Sequence, residues 1–148
     1  MLTGVNKGKW VFSVVMENGV KKWGVIPFRG VDGENLEFLI VSTKSGKWGL
    51  PKGNLMNKLG PRKTALQEAY EEAGILGTIV DQKISTKVKG KKMMFYPMEV
   101  KNEFSVWPES EWRKRKWIRS NETAYYLNSN SLRSLLEKVS ENILQTCS

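Results

Sequence analysis

The stretch that decides the fold is Lys52-Gly53-Asn54-Leu55-Met56-Asn57-Lys58-Leu59-Gly60-Pro61, continued by Gln67-Glu68-Ala69-Tyr70-Glu71-Glu72-Ala73-Gly74-Ile75. It reads as a glycine-hinged loop feeding a short helix. Pro61 suits the first helical turn, where a missing N–H leaves nothing unsatisfied. Good helix formers follow, and Gly74 supplies a left-handed stop. Ala65, Ala69 and Ala73 recur every fourth residue, so one side of the helix is smooth and can pack close against a sheet. Glu68, Glu71 and Glu72 stand at i, i+3 and i+4, which gathers three carboxylates on another side.

That gathering is unfavourable by itself. The carboxylates repel one another, and in the last turn the helix dipole disfavours each by about 0.3–1 kcal/mol. No basic residue lies one turn further along the helix to relieve them. Hard oxygen ligands held together against their repulsion are what a divalent cation such as Mg²⁺ stabilises. The plainer alternative is a solvated acidic helix face.

The wider spacing resembles the Nudix box, the signature of hydrolases that cut a nucleoside diphosphate linked to another group. The family pattern runs Gly, five residues, Glu, seven residues, Arg-Glu, an aliphatic, any residue, Glu-Glu, any residue, Gly, an aliphatic. Gly53, Glu68, Glu71, Glu72, Gly74 and Ile75 fall in register, so the box spans 53–75. Leu59 stands in place of the first Glu, Gln67 in place of the Arg, and Ala69 in place of the aliphatic. In the family the Arg orients the neighbouring Glu by an ion pair, whereas Gln67 offers only neutral hydrogen bonds. Looser metal binding is the expectation.

Outward from the box, Asn18-Gly19-Val20-Lys21-Lys22, the apolar strand before Trp48, and Arg113-Lys114-Arg115-Lys116-Trp117 followed by Glu122-Thr123-Ala124 resemble one branch. That branch is the diphosphoinositol polyphosphate phosphohydrolases, which also cleave dinucleoside polyphosphates. The similarity covers roughly residues 18–126. The branch binds its substrates through basic residues on the hairpin, the turn before the box and later loops. The resemblance therefore implies that Lys21, Lys22, Lys44, Gly53, Lys91 and Arg113 contact substrate. Each of the basic residues is equally readable as a solubilising surface charge.

The totals agree with such a protein. A length of 148 residues predicts one domain with its own core, and 40% hydrophobic residues with 10% aromatics predict a globular one. Twenty-four Lys and Arg against fifteen Asp and Glu give a net charge of +9, which points to a polyanionic partner. There is no His, which excludes His-ligated zinc, Ser-His and Cys-His nucleophile pairs, and imidazole acid–base catalysis. Metal-assisted hydrolysis built on carboxylates and lysines survives that elimination. The single Cys, Cys147, can close no internal disulfide, and residues 1–10 contain no apolar run. Together with the lack of any stretch of membrane-spanning length, these predict a cytoplasmic protein.

In chain order, Lys9 to Met16 reads as a strand, and Asn18-Gly19 as a type I′ turn returning through a partner strand at Val20 to Phe28. The expected hairpin covers about 9–28. Arg29 to Asn35 is a Gly-rich loop, and Leu36 to Ser42 a strand buried on both faces. Gly77 to Val88 reads as one strand, and Lys92 to Lys101 as another with Pro97 at a bulge or edge. A basic loop around Gly90 joins them. Arg113 to Ile118 enters a last strand, and Ser131 caps an amphipathic helix over about 131–145. The sum is an α/β/α sandwich with a mixed sheet between helices, which is also the fold the resemblance implies.

The resemblance implies a mechanism as well. Water attacks phosphorus in a phosphoanhydride, and charge builds on the surrounding oxygens. Mg²⁺, with Mn²⁺ as the substitute, held by Glu68, Glu72, Glu71 and the backbone carbonyl of Lys52, would neutralise that charge. Glu71 is the implied proton acceptor, with Glu109 and Glu111 as alternatives from a distant loop. A rival of another class is a nucleic-acid-binding module, because Trp112-Arg113-Lys114-Arg115-Lys116-Trp117 interleaves basic and aromatic residues. Inositol pyrophosphates, dinucleoside polyphosphates, nucleotide sugars and capped RNA all remain open as substrates.

Overall fold

A computed structural model describes residues 19–30 and 36–147. The expected strand at 9–16, Asn18 of the turn and most of the Gly-rich loop lie outside the described residues. Gly19 sits in a turn, and strand β1 (Val20–Arg29) follows it. The chain continues through β2 (Glu37–Ser42), β3 (Trp48–Gly49), β4 (Lys52–Gly53), helix α1 (Gly60–Ala73), β5 (Ile75–Ile79), β6 (Ile84–Val88), β7 (Lys91–Glu103) and β8 (Arg115–Arg119). Short helix α2 (Thr123–Tyr126) and long helix α3 (Asn130–Cys147) complete it.

The strands form one mixed sheet in the order β3-β2-β1-β7-β5, with β4 on β1, β6 on β7 and β8 on β2. β1 and β7 run parallel at its centre, while the remaining pairs are antiparallel. Alternation along β1 and β2 divides the core in two. Ile26, Phe28, Phe38 and Ile40 pack with Leu132, Leu135, Leu136 and Val139 of α3 on one face. Val25, Leu39 and Val41 pack with Ala65, Ala69 and Ala73 of α1 on the other. Successive side chains of a strand point to opposite faces, so α1 and α3 cover the sheet from its two sides. The α/β/α sandwich is the observed fold.

Three local expectations are corrected. The span 77–88 holds two strands, because β5 pairs with the C-terminal half of β7 and β6 with its N-terminal half. Pro97 is buried inside β7 and not at an edge or bulge. It falls opposite the break between β5 and β6, whose pairings stop at Met98 and Phe95, so no ladder partner from that side demands its missing N–H. Ser129, not Ser131, caps α3: its Oγ accepts a hydrogen bond from the Leu132 amide at 3.2 Å.

Candidate active site

Helix α1 is seated by its small residues. Ala65, Ala69 and Ala73 are fully buried against the sheet, and Pro61 lies in the first turn. Gly74 closes the helix at φ 66°, donating its amide to the Tyr70 carbonyl at 3.0 Å. Thr64 ties the entering loop to the first turn, its hydroxyl accepting from the Met56 amide at 3.0 Å. Leu59, where the box pattern has its first Glu, is at the N-terminal boundary and 38% exposed.

This seating places Glu68 and Glu72 on the sheet side of the helix, each only 9% exposed. Glu68 stands close enough to Glu72 for its charge to disfavour ionisation there. The Lys52 amide donates to Glu72 Oε1 at 3.3 Å. A Cβ on Gly53 would overlap the Glu68 carboxylate, so any other residue there would push that side chain from its present position. Burial pushes the Glu72 carboxyl up to about 7, against the opposing pull of Arg113 and the Lys52 amide. Burial, then the charges of Glu71 and Glu109, raise Glu68 as well. Glu71 turns outward, and Gln67 Nε2 donates to its Oε2 at 2.7 Å. Gln67 thus orients the carboxylate one turn on, not the neighbouring Glu68.

A loop from the end of β7 completes the site. Arg113 donates through Nε to Glu109 Oε1 at 2.8 Å, places Nη2 3.8 Å from Glu72 Oε2, and gives Nη1 to the Ser42 carbonyl. With its side chain 10% exposed, it is a buried bridge between two carboxylates, not a free cation at the surface. Glu109 arrives beside Glu68 by this route, while Glu111 stays exposed. The cation missing from the last turn of α1 comes from β8. Arg115 Nη1 donates to the Ala73 carbonyl at 2.7 Å and the guanidinium stacks 4.0 Å from the Trp107 ring. Trp107 Nε1 in turn donates to the Glu72 carbonyl at 2.9 Å. Neither Arg115 nor Trp107 could be assigned to the helix end from the sequence, because both reach it from another element.

The expected substrate lysines divide. Lys22 is half-buried and acts electrostatically on both Lys52 and Glu68, which puts it at the site. Lys21 and Lys44 are exposed. Lys91 lines a cavity of about 420 Å³ together with Lys47, Lys52 and Lys89, and with Thr43, Ser45 and Trp48 on the wall. Burial pulls the Lys52 ammonium below its ordinary value, against the attraction of Glu72. Lys47 and Lys89 were not singled out as candidates. Lys89 and Gly90 both have positive φ, 52° and 78°, which marks a two-residue hairpin turn between β6 and β7. An X-Gly pair between two alternating strands was the signal for it.

No protein-family model matches the sequence. Nudix hydrolase 21, chloroplastic, of Arabidopsis thaliana is 32% identical over 133 residues, covering 83% of this chain and 67% of that protein. Nudix hydrolase 16, mitochondrial, of the same plant is 35% identical over 121 residues, 67% of each chain. This chain belongs to the Nudix hydrolases. Its reaction class is accordingly hydrolysis of phosphoanhydride bonds. The fold of a C. elegans Ap4A hydrolase, solved as a binary complex, superposes with a TM-score of 0.72 at 23% identity, over 84% of this chain and 99% of that one.

Nudix enzymes typically depend on a divalent metal, and the donor set here fits a hard cation. Two buried carboxylates stand together where burial disfavours their charge, and a bound divalent cation would offset that. Among the described residues no three acidic side chains converge as a ready-made cage. Glu68 and Glu72 form the buried pair, and Glu71 is held aside by Gln67. No described helix is long and apolar enough to cross a membrane.

Proposed function

We propose that this Nudix hydrolase is a Mg²⁺-dependent enzyme, with Mn²⁺ as a substitute, that cleaves a phosphoanhydride in a small polyphosphorylated substrate, an inositol pyrophosphate or a dinucleoside polyphosphate. The observation that carries this reading is a cavity of four lysines that shares Lys52 with the carboxylate pair. Lys52 belongs to both, with its side chain on the cavity wall and its amide on Glu72. A substrate with phosphates beyond the scissile bond fills such a cavity, whereas the single diphosphate of a nucleotide sugar leaves most of it unneutralised.

Glu68 and Glu72 would hold the metal, which when bound offsets the charge that builds on the phosphoryl oxygens. Gln67 fixes one oxygen of Glu71 and leaves the other to accept a proton from attacking water. Glu109 is the second candidate acceptor, held toward Glu68 by Arg113. Arg113 also keeps Glu72 in place. Lys22 and the cavity lysines hold the substrate's remaining phosphates. Of the basic run 113–116, Arg113 and Arg115 are engaged internally, which leaves Lys114 and Lys116 exposed and weakens the nucleic-acid alternative.

A phosphate-release screen over inositol pyrophosphates, dinucleoside polyphosphates, ADP-ribose and capped RNA, with and without Mg²⁺ or Mn²⁺, tests the reading. Metal-dependent cleavage of the polyphosphates is expected, and cleavage of ADP-ribose or capped RNA alone would overturn it. Glu71→Gln should lower kcat by at least about 10², as loss of an acid–base group does, and Glu109→Gln by less. The reverse order would transfer the proton to Glu109.

A further inference from the structure

The last carbonyls of a helix have no partner inside it. In α1 they are met one after another from the segment 104–115. The Glu109 amide donates to the Glu71 carbonyl at 3.2 Å, and the Trp107 indole N–H to the Glu72 carbonyl at 2.9 Å. Arg115 Nη1 donates to the Ala73 carbonyl at 2.7 Å, and the Phe104 amide to the Gly74 carbonyl at 2.9 Å. Of these donors, Trp107 is the one that holds a residue of the buried carboxylate pair. Glu72 is in fact gripped twice by this segment: at its carbonyl by Trp107, and at its carboxylate by Arg113, whose Nη2 lies 3.8 Å from Oε2.

The indole is itself firmly seated. The Arg115 guanidinium lies 4.0 Å from its ring, and Glu103 holds Arg115 Nε at 3.3 Å. A Cβ on Gly74 would come within 2.8 Å of the Trp107 Cβ and Cγ, so the glycine that stops the helix also makes room for the indole. A helix end without such partners frays from its last turn, which would displace Glu71 and Glu72 before Glu68. We infer that Trp107 is a positioning residue: its indole N–H fixes the main chain of Glu72 and so sets the carboxylate for a divalent cation. The inference rests on the reading above in which Glu72 holds the metal.

The test removes the N–H and keeps the ring. Trp107→Phe, and the isostere benzothienylalanine installed at position 107, both leave Arg115 a ring to stack on but cannot donate to the Glu72 carbonyl. Mn²⁺ is titrated against the wild type, both variants and Glu72→Gln, with circular dichroism confirming that each is folded. The Mn²⁺ midpoint should rise about tenfold or more in the Trp107 variants, the usual cost of losing a partner that orients a ligand. With diadenosine tetraphosphate as substrate, kcat at limiting Mn²⁺ should fall by a similar factor and recover at saturating Mn²⁺, with KM near the wild-type value. An unchanged midpoint in the folded benzothienylalanine protein would overturn the proposal, since packing alone would then account for the indole. If Glu72→Gln binds Mn²⁺ as tightly as the wild type, the metal reading fails by itself. Positioning is then decided by kcat, which should still fall in both Trp107 variants at unchanged KM; a wild-type kcat would overturn it.

Discussion

Glu72 carries the most consequential perturbation of any single residue. Its carboxyl keeps a proton up to about pH 7 in the fold, against 4.5 for an unperturbed Glu, and burial is the main cause. The folded-state value lies above the unfolded one, so the stabilising proton is fully present below pH 4.5 and is lost as pH rises through 7. The metal-free protein should therefore melt at lower temperature as pH climbs from 4.5 to 7, by an amount equivalent to on the order of 3 kcal/mol. Glu72→Gln should flatten that slope, and Mg²⁺ should reverse it in the wild type alone. Thermal melts in chelator across this range provide the measurement, and a metal-free stability that rises with pH would contradict it. The partners of this residue were only partly legible. The crowding of Glu68, Glu71 and Glu72 followed from their spacing, but Gln67 attached to Glu71 and not to Glu68, a choice made by rotamers one turn apart.

Helix α1 shows which elements are readable locally. Pro61, the alanine repeat and Gly74 specify its start, its packed side and its stop, all within the helix itself. Its C-terminal cation is not readable in this way, since Arg115 belongs to β8 and meets the Ala73 carbonyl only after β8 pairs with β2. Arg115→Ala should cost about 1–3 kcal/mol, from a charge-assisted hydrogen bond, a stacked ring and the helix-dipole contact. Because the last turn carries Glu71 and Glu72, kcat should fall with stability, and Arg115→Lys should restore part of both. Unchanged melting and turnover in Arg115→Ala would show that the helix end is held without it. The β6–β7 turn argues in the opposite direction. Lys89 occupies a left-handed conformation that costs a side-chain-bearing residue roughly 1–2 kcal/mol and suits glycine. Lys89→Gly should stabilise the fold by up to about 1 kcal/mol while weakening polyphosphate hydrolysis. A variant that is less stable, or equally active, would break the link between the strained turn and the cavity. The split of the 77–88 region into β5 and β6 went unread because the break answers to β7, which follows it in the chain.

At the scale of the whole molecule, a net charge of +9 was legible by counting, but its focusing was not. Lys47, Lys52, Lys89 and Lys91 come from three separate loops and strands and meet only because β6–β7 folds back toward the 43–49 turn. A cavity lined by one sign of charge should favour substrates with five or more phosphates over ADP-ribose, and added salt should shrink that advantage. Lys47→Ala with Lys91→Ala should lower kcat/KM for the highly phosphorylated substrate by at least about tenfold and for ADP-ribose by less. Steady-state kinetics at low and high ionic strength supply the comparison. A preference indifferent to both salt and these two lysines would place the phosphates elsewhere.

The parallel pairing of β1 with β7 has a kinetic consequence. Trp23 lies beside Met94 in the sheet, with the entire loop and helix of the box between them in sequence. Such a pair closes late in folding, since a long loop must be ordered before its contacts return anything. Strand β4, whose Gly53 stands against Glu68, pairs with β1 across a loop of its own. While the chain searches for that arrangement, the glutamates are still in water and their mutual repulsion is screened. Their burial against β4 should be completed late, so relieving it is expected to slow unfolding more than it speeds folding, which stopped-flow folding of Glu72→Gln would test. The crowded carboxylates should thus shorten the lifetime of the metal-free native state more than they hinder its formation.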